Sequence, residues 1–358
     1  MKEVLKKYAK RYFIDAMGAM ALGLFGSLLI GTIFNALGMI PGLSILSTIG
    51  KGAQSVAGPA MAVAIAVSLK ASPLVVYSCA AVGALANSNG GAGGPLAVLV
   101  IAIIAAEVGM LVSKKTKVDI LVTPFVTLLT GGLLSVWIAP YIGKAVGVIS
   151  YAIAFAMERQ DIVMGILISV IVGIALTLPI SSAAICAALG LSAVSGVALQ
   201  SPELASELAL AGGAAVAGCC AQMVGFAVMS FKENKWGGLI SQGIGTSMLQ
   251  MPNIIHNPRI WIPTILASAI TGPLATSVFK MQMYGEAINS GMGTCGMLGP
   301  VGIILGWFGG SYPATVSVMD WVGLALICFI LPAILSLLFS ELLYKIKWIK
   351  PGDLKLPD

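Results

Sequence analysis

From Ala16 to Leu37 the chain carries no charged residue, and uncharged apolar stretches of similar length recur almost to its end. A soluble domain devotes about 25% of its residues to charged side chains, and this chain devotes 9%. Such a sequence cannot cover a water-facing surface, so its solvent is a lipid bilayer. Soluble enzymes, nucleic-acid-binding modules and disordered tails are excluded by the same arithmetic. The runs are continuous, whereas a membrane β-barrel needs alternating segments of about ten residues. Helices remain, because each span must satisfy its own backbone in lipid. The fold class expected is therefore all-α. Forty-three glycines and seventeen prolines add close helix contacts and interrupted helices to that expectation. The first run lacks a small-x-small cleavage site near its end and reads as a retained span.

The net charge of +6 sits in clusters. Lys2, Lys6, Lys7, Lys10 and Arg11 precede the first span. Lys114, Lys115 and Lys117 form a second cluster, Lys232 and Lys235 a third, and Lys345, Lys347, Lys350 and Lys355 a fourth. This is the positive-inside pattern of cytoplasmic loops, so no nucleic-acid partner is expected. Cys79, Cys186, Cys219, Cys220, Cys295 and Cys328 are scattered, no C-x-x-C occurs, and His256 is the sole histidine. Neither a Cys/His metal site nor a cofactor is expected. The cysteines read as small apolar packing residues.

With a cytoplasmic N-terminus the spans fall at 16–37, 56–69, 73–86, 96–113, 119–139, 162–180, 183–199, 208–231, 260–279 and 317–343. Residues 140–160, with Tyr141, Lys144, Tyr151, Glu158 and Arg159, read as interfacial. Segments 236–253 and 286–312 are too glycine-rich and polar to be full spans and read as re-entrant hairpins. The result is about ten crossings plus two hairpins, with both termini cytoplasmic. Four of the twenty Lys and Arg residues, Lys51, Lys144, Arg159 and Lys280, are left outside.

Non-helical backbone at membrane depth survives only where protein buries it or where it lines a cavity. Gly/Pro-interrupted apolar segments therefore point to a transporter's binding site. Four occur here, at 87–95, 179–182, 243–258 and 289–300, each carrying uncharged hydrogen-bonding groups. Asn87, Asn89, Gln222, Gln250, Asn253, Asn257, Asn289 and Thr294 are the candidate substrate-binding residues, and His256 joins them because it lies in the Gly245–Pro263 motif, the alternative being a solvated loop histidine. Each alone would pass as a helix-breaking or helix-bridging residue; as a set they suit a small neutral polar solute such as a sugar or polyol. Glu107 is the candidate intramembrane acid, with pairing to a nearby cation as the alternative. No nucleophile–base pair is visible, so no catalytic residue is assigned and an enzyme reading is weak.

From Gly245 to Pro263 the sequence reads G-T-S-M-L-Q-M-P-N-I-I-H-N-P-R-I-W-I-P. This resembles the membrane subunit, enzyme IIC, of fructose-type phosphotransferase sugar transporters, whose stretch runs G-I-[ST]-E-G-A-I-P-F-x-x-x-D-P-x-R-x-I-P. Gly245, Pro252, Pro258 and Pro263 fall in register, and Asn257 stands at the family's Asp. Gly272 and Phe13-Ile14-Asp15-Ala16 look similar too, and the resemblance covers roughly residues 12–345. It is closest to the stand-alone, perfringolysin-regulator-like (PfoR-type) sub-group, described both as permease and as regulator. The departures are specific. Met248 stands at the family's acidic position, and Thr294-Cys295-Gly296 lies where the fructose subunits carry a P-H-G-G-type loop. No IIA or IIB domain is fused, so residues 1–358 read as one integral membrane domain.

The resemblance implies a IIC-like scaffold with an elevator-type substrate domain, a homodimer in the cytoplasmic membrane, and a separate cytoplasmic phosphotransferase or regulatory protein as partner. Two functional expectations follow. One is a permease for a neutral polar solute that is not phosphorylation-coupled by itself. The other is a IIC-derived membrane sensor that binds solute and signals without transport; Met248 favours the second, and the four polar breaks favour the first.

Overall fold

Helix accounts for the regular structure, and among the described residues there is no strand. The computed structural model describes residues 8, 10–38, 42–193, 195, 201–308 and 316–356. Lys2, Lys6, Lys7 and the far ends of the 183–199 span and the 286–312 hairpin lie outside them. The chain divides into two compact units, Met1–Gly147 and Val148–Asp358. Six helices are long and apolar enough to cross a membrane, and Ala57–Ser68, Asp161–Thr177 and Cys295–Phe308 are shorter apolar helices.

The first unit contains α1 (Lys10–Asn35), α2 (Ser44–Ser55), α3 (Ala57–Ser68), α4 (Pro73–Gly90), α5 (Gly94–Val112), α6 (Asp119–Trp137) and the start of α7 (Ala139–Met157). The 40 residues from Pro73 to Val112 form an almost unbroken apolar helix. At 1.5 Å per residue that is about 60 Å, twice the hydrocarbon thickness. The chain reverses instead at Gly91, whose φ of +52° a side chain would oppose, and α4 and α5 pack side by side. The expected third and fourth spans are thus two helices joined at the polar Asn87–Pro95 break. Helices α3 and α4 touch backbone to backbone, because a Cβ at Gly58 would strike the Gly83 carbonyl and one at Gly83 the Gly58 carbonyl.

The second unit contains α8 (Asp161–Thr177), α9 (Ser182–Leu189), α10 (Pro202–Met229), α11 (Phe231–Ile240), α12 (Met251–His256), α13 (Pro258–Val278), α14 (Ala287–Ser290), α15 (Leu298–Phe308) and α16 (Val318–Lys345). Helix α10 starts cleanly: the Ser201 hydroxyl accepts from the Leu204 amide at 3.2 Å, and Pro202 takes the first helical position, where its missing N–H costs nothing. Its interior reads Ala211-Gly212-Gly213-Ala214-Ala215-Val216-Ala217-Gly218-Cys219-Cys220, and 89% of its apolar window is buried, against 22% for Asp119–Met157. Small side chains let backbones approach where lipid supplies no hydrophobic drive. A Cβ at Gly218 would run into the Ser169 carbonyl of α8, and one at Gly272 of α13 into the Gly165 carbonyl. Helix α16 packs on both α10 and α13, and its start is fixed by a reciprocal capping box between Ser317 and Asp320.

One expectation changes in this unit. Residues 183–199 do not form a continuous helix, because α9 stops at Gly190, a left-handed C-cap with φ +66°, the position glycine fills most readily.

The glycine contacts are testable. Replacing Gly218 by Val should overpack the α8–α10 contact and cost about 1–3 kcal/mol, read as a lowered unfolding temperature in detergent. Gly237, whose Cβ would meet nothing within 4 Å, should accept Ala with stability unchanged or raised.

Candidate functional site: two polar breaks around helix α10

Gln222 is completely buried in α10. Its Oε1 accepts from Trp261 Nε1 at 2.9 Å and Thr264 Oγ1 at 2.8 Å, with Thr177 Oγ1 at 3.4 Å. Its Nε2 donates to Ser268 Oγ at 3.4 Å. Thr177 in turn shares a 2.8 Å hydrogen bond with Ser247 Oγ. The ends of α8 and of the 241–250 segment therefore converge on α10 and α13. Local chemistry places each of them. Helix α8 stops at Thr177 with Leu178 extended at ψ 158°, as expected shortly before Pro179. Thr246 is extended, and its hydroxyl accepts the Met248 amide at 3.1 Å, starting the short turn Ser247–Gln250. Met248 is buried in that turn beside Ser247. Trp261, Thr264 and Ser268 sit three and four residues apart, which puts them on one face of α13. Sequence reasoning found Gln222 but missed Thr177, Ser247, Trp261, Thr264 and Ser268; the spacing on α13 was the available signal.

The second break lies across the same helix. Ser182 Oγ donates to the Gly291 carbonyl at 2.7 Å, and Ser290 Oγ to the Leu191 carbonyl at 2.6 Å, lacing α9 to α14. Gly293, at φ +52°, rests on α10: a Cβ there would press on Cys219 and the Cys220 amide. Among the described residues Thr294 Oγ1 meets only the Met223 sulfur, at 3.6 Å, a weak acceptor. Asn289 is 5% exposed, and its side-chain amide has no hydrogen-bond partner among the described residues. The turn Cys295–Met297 contacts Ser241–Gly245, so the 243–258 and 289–300 breaks meet.

Gln250, Asn253 and Asn257 are brought together, but against the chain's own residues 348–356. Gln250 Nε2 donates to Gln242 Oε1 and to the Leu354 carbonyl, each at 2.9 Å. Asn253 Nδ2 donates to Gln250 Oε1 at 2.7 Å and to the Lys355 carbonyl at 2.9 Å. Asn257 Nδ2 donates to the Trp348 carbonyl at 3.0 Å and to Asp353 Oδ2 at 2.7 Å. His256 is exposed nearby.

Asn87, Asn89 and Glu107 lie in the first unit. Asn87 is half-buried where α4 meets Gly58 and Gly94. Asn89 Nδ2 donates to the Ser135 carbonyl of α6 at 3.1 Å. Glu107 pairs with Arg11 at 2.7 Å and accepts from the Tyr12 hydroxyl at 3.0 Å, and Arg11 also donates to the Leu69 carbonyl. The acid thus ties α1 to α5, the pairing alternative weighed for it. Among the described residues no three His, Cys, Asp or Glu side chains group as metal ligands. The second unit's two breaks offer hydroxyls and amides, groups able to hydrogen-bond a hydroxyl-bearing solute.

A helical membrane protein with interrupted helices around a glycine-packed centre is the class this geometry defines. The family model for the phosphotransferase system, EIIC, matches residues 14–356, and the chain belongs to that family, whose members are membrane transporter-type components. No curated protein and no solved structure matches the chain.

The Gln222 cluster should be structural as well as polar. Gln222→Leu orphans the Trp261 Nε1 donor, while Thr264 Oγ1 keeps the Trp261 carbonyl at 3.0 Å; the loss should cost about 1–3 kcal/mol and visibly lower the unfolding temperature. His256→Ala, at an exposed side chain, should stay within about 0.5 kcal/mol of wild type.

Proposed function

We propose that the chain is a permease for a neutral polar solute of the sugar or polyol kind, bound where the two breaks of the second unit meet. The observation carrying this reading is the Asn289 side chain, 5% exposed and without a hydrogen-bond partner among the described residues, in the break whose Cys295–Met297 turn contacts Ser241–Gly245. That amide is free to hydrogen-bond a solute hydroxyl, a bond worth about 0.5–1.5 kcal/mol net. The lack of charged groups in the two breaks favours a neutral ligand over an ion.

Around this site we place about ten crossings, the one at 183–199 interrupted at Gly190, and two re-entrant hairpins in the cytoplasmic membrane, with both termini cytoplasmic and the protein working as a homodimer. The division into two compact units supports a scaffold and an elevator-type substrate domain. Met248 in place of an acid argues that sugar phosphorylation is not carried by this chain alone; a separate cytoplasmic phosphotransferase or regulatory protein would be its partner. A sensor that binds solute without moving it is the second reading. It is favoured by the occupation of Gln250, Asn253 and Asn257 by the chain's own backbone.

Two experiments test these readings. In a thermal-shift screen of hexoses, hexitols and small acids, a neutral compound should stabilise the purified protein. Asn289→Ala should weaken that compound about two- to tenfold, the loss of one net hydrogen bond, with the ligand-free melting temperature preserved. Stabilisation only by charged acids would overturn the neutral-solute reading, and binding without uptake into proteoliposomes would select the sensor. For topology, a cysteine placed at Lys115 in a cysteine-free background should resist impermeant reagents in intact cells and react once the membrane is opened.

A further inference from the structure

Residues 348–356 are held by side chains that have no other evident reason to converge. Lys350-Pro351-Gly352-Asp353 forms a turn in which the Asp353 amide donates to the Lys350 carbonyl at 3.1 Å and Gly352 takes φ +96°. Proline at the second position and glycine with positive φ at the third are the type II pattern. Asp353 Oδ2 closes the turn by accepting the Lys350 amide at 2.8 Å. Beyond the turn, Glu233 accepts the Gly352 amide at 2.9 Å and the Leu354 amide at 3.1 Å, one on each carboxylate oxygen. Asn234 grips the next residues from both sides, donating to the Leu354 carbonyl at 2.8 Å and accepting the Leu356 amide at 2.9 Å. With Gln250, Asn253 and Asn257, five side chains of the 233–257 segment bind this one stretch of backbone.

Two buried side chains, Ile349 and Leu354, anchor the stretch, and the rest of the hold is polar. Ile349 and Leu354 are buried at 1% and 0% exposure, whereas Trp348, Lys350, Pro351, Gly352 and Lys355 are exposed. A segment docked through a broad apolar face is part of the core. One held mainly by hydrogen bonds can exchange them for water at small net cost and opens below the global stability. Release would leave five polar side chains facing a vacated groove, and would loosen the Gln242–Gln250 pair that ties this groove to Ser230 at the end of α10.

We propose that residues 348–356 are a releasable strap: docked, it occupies Glu233, Asn234, Gln250, Asn253 and Asn257 and clamps the 231–257 segment; released, it uncovers those groups and frees that segment to move. The proposal is independent of whether the chain transports or senses. The chemistry that would displace the strap is that of another extended backbone, offering alternate N–H and C=O groups to the same carboxylate and amides.

The test uses the full chain in detergent or liposomes, with two readouts. A lysine-specific protease reports strap release by cleavage after Lys355, and amide hydrogen exchange reports the 231–257 segment. Leu354→Asp removes the buried plug and Asn234→Ala the two-sided grip, the second being the milder change. Both variants should raise cleavage and speed exchange across 241–257 by about tenfold, the scale of one or two lost hydrogen bonds. Exchange within α8 and the middle of α10 should stay at the wild-type rate, which separates strap release from general unfolding. Increased cleavage with unchanged exchange over 241–257 would show that the strap clamps nothing. Unchanged cleavage in the folded Asn234→Ala variant would show that these bonds do not hold it. Either result overturns the proposal.

Discussion

A backbone polar group inside a membrane has no water to fall back on, and the second unit is arranged around that constraint. Its helices are interrupted where they meet α10, and each interruption frees N–H and C=O groups that protein must satisfy. Glycines on α10 let the broken segments come close enough to do so. The Gly293 turn lies directly on Cys219 and Cys220, and Ser169 of α8 sits against Gly218. A larger residue at either contact would hold the segments apart and strand their backbones.

Hydroxyls do most of the satisfying. Ser182, Ser290 and Ser169 each donate to a carbonyl on a different segment, at Gly291, Leu191 and Ser268, so that short side chains substitute for the missing helical bonds. The longer amides are used otherwise. Gln222 collects donors from two segments, whereas Asn289 collects none among the described residues. That contrast separates an amide serving the fold from one that makes no bond within it. It also explains why an uncharged site is physically economical here: a charged group at the same depth would need its own partner, as Glu107 has in Arg11.

The amides around residue 250 tell a different story from those around residue 289. Polar residues clustered at an interrupted apolar segment are equally consistent with a solute and with a piece of chain, since both present hydroxyl-like or amide-like groups. Residues 348–356 lie about a hundred positions away in sequence. Nothing in the local pattern from Gly245 to Pro263 indicates that Gln250, Asn253 and Asn257 would meet them. The Pro351-Gly352 turn is visible locally; its docking partner is not.

The sequence by itself determined the solvent, the helical class, the family resemblance and the positions of the four breaks. Each follows from composition or from signals spanning a few residues: apolar run length, glycine and proline punctuation, and the Gly245–Pro263 motif. It also supplied Gln222 and Asn289 as polar residues in apolar surroundings. Only the tertiary structure decided which breaks meet, that Thr177, Ser247, Trp261 and Ser268 join Gln222, that Glu107 is tied to Arg11, and that three of the candidate amides hold the strap. The physical reason is that hydrogen bonds in this protein are short-range and long in sequence separation. Ser182 and Gly291, or Gln250 and Leu354, become partners only after glycine-mediated packing has brought their segments within 3 Å of each other, and no local pattern encodes that approach.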